Sequence, residues 1–315
     1  MSAIMEEGLI TAPEITPGGA WFNSRPLTLS KLRGQVVLVD FMSYTCINCI
    51  RTFPYLNRWY ETYKDKGLEI IGVHSPEFEF EKDKDNLKSA LALYKIKFPV
   101  VQDNNYDTWN AYANHYWPAK YFVDKNGKIR WTHFGEGSYD KSEIVIQELL
   151  KEVGVNVKDI PINNPPYTVE ASTPELYLGY WRMVYFASKE DISPEKTALY
   201  TVPEKLPLHS FAFGGKWMVA EQYSSPQNGS ALMLHFEAKK VFLVARTKGE
   251  PGQFKVMIDN TVIRESEKGS DVDEGIVPVI ENRLYEVVSL PKRGEHVLNL
   301  EFLDNNLELY AFTFG

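Results

Sequence analysis

Two cysteines are all that the 315 residues contain, and they stand together as Cys46-Ile47-Asn48-Cys49. A framework of structural disulfides is therefore excluded, and both thiols belong to one motif. No second CxxC or HxxxH pair follows, so a zinc site, which takes about four Cys or His ligands, lacks its other half. Basic residues are in deficit: 34 Lys and Arg against 42 Asp and Glu leave a net charge of −8. That balance argues against a nucleic-acid partner, because a sequence-independent grip needs clustered cations to displace phosphate counterions. No apolar run approaches the roughly 18 residues of a spanning helix. Met1 to Gly8 also lacks the basic flank and apolar stretch of a secretory leader, so the chain reads as soluble. Tandem repeats and low-complexity tracts are missing too.

What is present begins with Gln35 to Phe41 (QVVLVDF), a β-branched and aromatic run expected to be a strand buried on both faces. The cysteine motif follows at once. From there Ile50, Phe53, Leu56, Tyr60 and Tyr63 recur at helical spacing up to Gly67, which places the cysteines at a helix N-terminus, with a kink at Pro54. Leu68 to His74 reads as a second strand and Asp85 to Tyr94 as a helix. This alternation predicts α/β architecture with parallel pairing. Phe98 to Val101, a short helix near Thr108 to Asn114, and a hairpin of Lys120 to Val123 with Ile129 to His133 complete the sheet. Asp140 and Glu143 are expected to form a capping box that opens a closing helix ending at Gly154. The first domain is thus 1–154, and the Pro-rich stretch 155–168 reads as a semi-rigid linker. In 169–315 short runs separated by turn residues, such as Trp217 to Ala220, Ala231 to Phe236, Val241 to Ala245, Leu284 to Val288 and Val297 to Phe302, predict an all-β jelly roll or sandwich.

Thiolates are the nucleophiles of disulfide exchange, and a helix N-terminus favours them through its partial positive charge and free amides. Cys46 is therefore the expected nucleophile, and Cys49, one turn on, the thiol that resolves the mixed disulfide. Asp40 lies inside the apolar strand, where a carboxylate is costly unless it has a partner or a task. It reads as a proton acceptor or relay for Cys49, with a water-facing place at the strand end as the alternative. No cofactor is needed beyond the redox-active Cys46–Cys49 disulfide.

The segments PGGAWFNSRPLTLSKLRGQVVLVDF and YTCINCIRTFPYL resemble the TlpA/ResA-like branch of the thioredoxin superfamily. Gly72 to Phe78, Trp109 to Tyr112, Tyr116 to Ala119 and Phe134 to Gly137 are similar to the soluble C-terminal region of DipZ-type thiol:disulfide interchange proteins. The resemblance implies a thioredoxin-like domain followed by a carbohydrate-binding-module-like domain. It also implies a cis-proline at Pro118, with the Trp117 backbone presented to a substrate strand. Protein disulfides as substrates and an upstream dithiol electron donor follow from it as well. Departures stand beside it. The dipeptide is Ile47-Asn48 without proline, Tyr44-Thr45 replaces a tryptophan-containing approach, and Thr52 occupies a position that is acidic in ResA-like proteins. Proton handling then falls to Asp40 or another carboxylate, with Glu77 and Glu136 as secondary candidates. His74 reads first as a satisfied structural residue.

For the C-terminal half, Trp181, Tyr185, Trp217 and Tyr223 could form aromatic platforms for a glycan, although core packing explains most aromatics of a β-sandwich; a docking or dimerisation surface that sets which substrates reach Cys46 is the preferred reading, and no residues of it are picked out by the sequence. Two other functions compete with disulfide exchange. A peroxiredoxin-like peroxidase would want a threonine where Ser43 stands, and a binding module with a vestigial redox domain would leave dithiols that do not cycle. The resemblance implies an extracytoplasmic place, whereas the chain reads as cytoplasmic if it is native as given and as extracytoplasmic if a leader has been removed.

Overall fold

The computed structural model describes residues 9–315, which divide into two units, 9–167 and 168–315. In the first, six strands are β1 (Trp21–Phe22), β2 (Val36–Met42), β3 (Leu68–His74), β4 (Val100–Gln102), β5 (Ala119–Val123) and β6 (Ile129–Phe134). The helices are α1 (Ile47–Tyr63), α2 (Lys84–Leu93), α3 (Asp107–Ala111) and α4 (Tyr139–Glu152). The sheet order is β1-β4-β3-β2-β5-β6. β2, β3 and β4 run parallel, while β5 and β6 form the antiparallel hairpin.

Every residue of β2 is buried. Val37, Val39 and Phe41 point into a cluster with Ile71, Val73, Trp109, Tyr112 and Tyr121. The alternation of a strand turns Asp40 to the opposite face. Phe41 meets Trp109, Tyr112 and Tyr121 edge-on at 5.3 to 5.7 Å, an arrangement favoured by the ring quadrupoles. On β5, Lys120 is registered directly opposite Asp40 and therefore shares its face. α1 continues through Pro54 and gives way to a short 3-10 turn, with Gly67 left-handed at φ 95°.

Two expectations for this unit are corrected. α4 starts after Ser138, whose side chain makes no cap, so Asp140 is not an N-cap and there is no capping box. Asp140 and Glu143 instead accept from Asn164 Nδ2 at 2.9 and 2.7 Å. The segment expected to be a linker belongs to this unit up to Tyr167. Asn164 Oδ1 accepts from Arg58 and Trp59, Pro165 O accepts from Tyr55, and Ile160 O accepts from Gln147.

The second unit is built of antiparallel strands around an apolar core that includes Phe213, Trp217, Leu234, Val256, Leu300 and Phe312. Here the short runs merge. Ala231–Thr247 is one strand of 17 residues and Arg283–Phe302 one of 20, paired from Ala231↔Glu301 to Ala245↔Arg283 with an irregularity at Ala238/Lys240. A bulge of this kind lets a strand bend and continue where a sequence reading expects a turn.

Candidate functional site

β2 delivers the chain to Cys46 through the loop Ser43-Tyr44-Thr45. Cys46 is the N-cap of α1, with extended φ and ψ of −72° and 113° and no side-chain cap on the first-turn amides. It is partly exposed while Cys49 is buried, and both are free thiols. Burial pushes the Cys49 thiol well above its ordinary range. Neighbouring Cys46 and the Asp40 charge push the same way, and only the Ser43 backbone N–H opposes them.

Asp40 is fully buried, so its water-facing alternative is excluded. Lys120 Nζ lies 3.3 Å from Oδ1, and both side chains are essentially inaccessible. Burial raises the Asp40 pKa, and the Lys120 ammonium works against the rise. Neither carboxylate oxygen nor Nζ has a further hydrogen-bond partner among the described residues. The Asp40 charge is felt at the Cys49 thiol, so the pair lies within electrostatic reach of it.

A second buried carboxylate was not singled out by sequence reasoning. Glu81 Oε2 accepts from Ser43 Oγ at 2.7 Å and lies 3.2 Å from His74 Nε2. Oε1 accepts from Thr45 Oγ1 at 2.6 Å and from the Phe78 backbone at 3.2 Å. The Tyr44 ring stacks on His74 at 5.4 Å. His74 is thus buried and held at this cluster, not directed at the thiols. Glu77 is only half-buried. Glu136 accepts from Arg51 at 3.2 Å, and Arg51 donates to Asn48 Oδ1 at 3.3 Å, so Glu136 is linked to the motif through Arg51.

Trp117-Pro118 is a cis peptide. Ala119, the next residue, is registered with Phe41 on one side and Phe134 on the other, which brings Pro118 to the sheet end from which β2 leads to Cys46. The Trp117 indole donates to Ser75 O at 3.1 Å. Tyr116 and Phe134, 56% and 46% exposed, stand 5.3 Å apart beside it and form an apolar surface that the sequence reading missed.

Residues 12–132 match the AhpC/TSA family, and residues 173–315 match the thioredoxin-like C-terminal domain family. Thiol-disulfide oxidoreductase YkuV of Bacillus subtilis is 33% identical over 141 residues, covering 44% of this chain and 94% of that protein. ResA of Bacillus cereus is 30% identical, covering 40% and 69% respectively. This chain belongs to the thioredoxin-like thiol-disulfide oxidoreductases. Within that family it is similar along nearly its whole length to DipZ of Mycobacterium tuberculosis, at 35% identity over 97% of this chain. It spans 43% of that relative's length.

Against other readings of this oxidoreductase, two observations weigh. The hydroxyl of Ser43, which stands where a peroxidase would place threonine, donates into Glu81. Of the four aromatics considered as platforms, Trp217 is fully buried against Phe213 at 4.3 Å, because its strand turns it into the core, and Tyr223 is half-buried. Trp181 and Tyr185 remain 66% and 51% exposed. No helix among the described residues is long and apolar enough to cross a membrane.

Proposed function

We propose that this oxidoreductase exchanges disulfides with protein substrates through Cys46 and Cys49. The observation that carries the reading is the asymmetry of the pair: an accessible thiol at a helix start and a buried one whose titration is pushed up beside a buried acid. The Cys46 thiolate attacks one sulfur of the substrate disulfide, forming a mixed disulfide and releasing the other sulfur, which takes up a proton. Cys49 then loses its proton to Asp40, and its thiolate attacks Cys46 Sγ. The mixed disulfide breaks, and the substrate leaves as a dithiol with two electrons gained while the Cys46–Cys49 pair becomes a disulfide. Run backwards, the same steps oxidise a dithiol.

Asp40 suits the transfer because burial raises its pKa while the Lys120 ammonium beside it favours the charged form. Trp117, Pro118, Tyr116 and Phe134 offer the surface on which a substrate strand would lie. Trp181 and Tyr185 give the second unit a contact face for a protein or glycan. In the reducing direction an upstream dithiol donor restores the pair.

Equilibration in glutathione and dithiothreitol buffers tests the reading. A reversible two-electron couple lost in Cys46→Ser and Cys49→Ser is expected, within the range of about −270 to −120 mV that such centres span. A pair that fails to cycle, or peroxide consumption without any disulfide substrate, would overturn it.

A further inference from the structure

Glu81 is a fully buried acid that the exchange steps above do not use. It sits in a 3-10 turn, Glu79–Lys82, beyond β3. A carboxylate has lone-pair sites for about four donors. Here Ser43, Thr45, the Phe78 amide and His74 occupy them at 2.6 to 3.2 Å. So complete a set makes the buried carboxylate a rigid anchor.

What it anchors is the loop on which both cysteines depend. Ser43 and Thr45 are gripped by opposite oxygens, and Thr45 N donates to Ser43 Oγ at 3.3 Å, which closes the loop on itself. Thr45 is bonded directly to Cys46. The backbone of Ser43 is also the one neighbour that holds the Cys49 thiol toward its ionised form, against burial, Cys46 and Asp40.

We infer that Glu81 is a positioning residue for the resolving half of the exchange: by holding Ser43 and Thr45 it keeps the Ser43 amide on the Cys49 sulfur. The inference rests on the exchange reading above. The groups facing these atoms are Asp40 of β2 with Lys120 of β5 beside it, Cys46 of the motif and His74 of β3, and the variants below leave all of them in place.

The full chain, reduced, is mixed with equimolar dithionitrobenzoate. One nitrothiophenolate is released when Cys46 attacks the reagent, and a second when Cys49 displaces it from Cys46. Each rate is followed against pH. In Glu81→Ala the ratio of the second rate constant to the first should fall about tenfold, in line with loss of an amide hydrogen bond to a charged group. The pH midpoint of the second step should move up. Loss of the buried charge alone would move that midpoint down, so the sign separates positioning from electrostatics. Glu81→Gln, which keeps an acceptor and the shape, should restore the ratio to within about threefold. Ser43→Ala removes a single contact and should lower the ratio in the same direction by about threefold, which keeps the test decisive if Glu81→Ala does not fold. Ratio and midpoint unchanged in Ser43→Ala and in folded Glu81→Ala would overturn the inference, as would both steps slowing equally. A wild-type protein that releases no second nitrothiophenolate would overturn the exchange reading itself.

Discussion

The two units bury different things. Among the described residues the first hides the acidic and basic side chains Asp40, Arg51, His74, Glu81, Asp103, Lys120, Asp124, Arg130 and Glu143, whereas the second hides Glu308 alone. The core of the second unit is aliphatic and aromatic throughout, and its ion pairs, such as Lys239 with Glu170 and Arg293 with Glu237, lie at half-exposed positions. Burying charge costs stability that apolar packing does not, and in the first unit part of that cost falls around the cysteine motif, where Asp40, Lys120, His74 and Glu81 are all buried. The second unit, by contrast, is organised for packing and display.

The sharpest break of this contrast is Cys46→Ser, expected to lower exchange at least about 10³-fold, as loss of a nucleophile does. Trp181→Ala should leave it within about twofold, since an exposed aromatic of the second unit takes no part in the sulfur chemistry. Turnover of a protein disulfide, followed spectroscopically, reads both.

Stability comes next. Lys120→Met leaves the Asp40 carboxylate buried without its partner and should cost about 3–5 kcal/mol at neutral pH. Leu234→Ala in the second unit should cost a similar amount, about 2–5 kcal/mol, by opening a cavity. The two differ in pH dependence. Asp40 already titrates above its unfolded value, and loss of the ammonium raises it further. The stability tied to its neutral form is then full below the unfolded carboxylate pKa and is lost as pH rises through the elevated one. Denaturation of Lys120→Met should therefore recover on acidification, while that of Leu234→Ala should not respond.

Asp40→Asn should slow the resolving step about 10²-fold, the low end of general acid–base contributions. It should also remove the rise of rate with pH that accompanies Asp40 ionisation, which a pH–rate profile would display. The smallest effect is expected from Glu61→Ala. This opens a surface pair with Lys97 (3.1 Å) and should cost about 1 kcal/mol or less in urea titrations.

Legibility followed the range of the interactions. QVVLVDF and LEIIGVH announce buried strands because their apolar runs are local, and the cysteine spacing announces the helix start. Lys120 could not be read, since AKYFV shows a lone lysine that turns inward only when β5 registers with β2 opposite Asp40. Glu81 was hidden for the opposite reason. EFEFEKDKD looks like a solvated charge run, and burial becomes tolerable through distant partners, the hydroxyls of Ser43 and Thr45 beyond β2 and the His74 ring, together with the nearby Phe78 amide. A signal was nonetheless present in the alternation of Phe78 and Phe80 with acids, which puts apolar residues on both sides of that turn. In the second unit Pro291 and Gly294 read as a break, yet Arg283–Phe302 passes through them, because the neighbouring strand bends with it at Ala238/Lys240.

The stretch after Gly154 carries a consequence for how such chains are assembled. Asn164 ties α1 to α4, Pro165 takes the Tyr55 hydroxyl, and the Arg51 guanidinium rests 4.9 Å from the centre of the Tyr167 ring while also reaching Asn48 between the two cysteines. A protease or a gene fusion that cuts at Gly154 would strip the outer wall from the helix that bears the thiols. The natural seam lies after Tyr167, and whatever module is joined there inherits a tether whose last aromatic ring is one side chain removed from the redox motif.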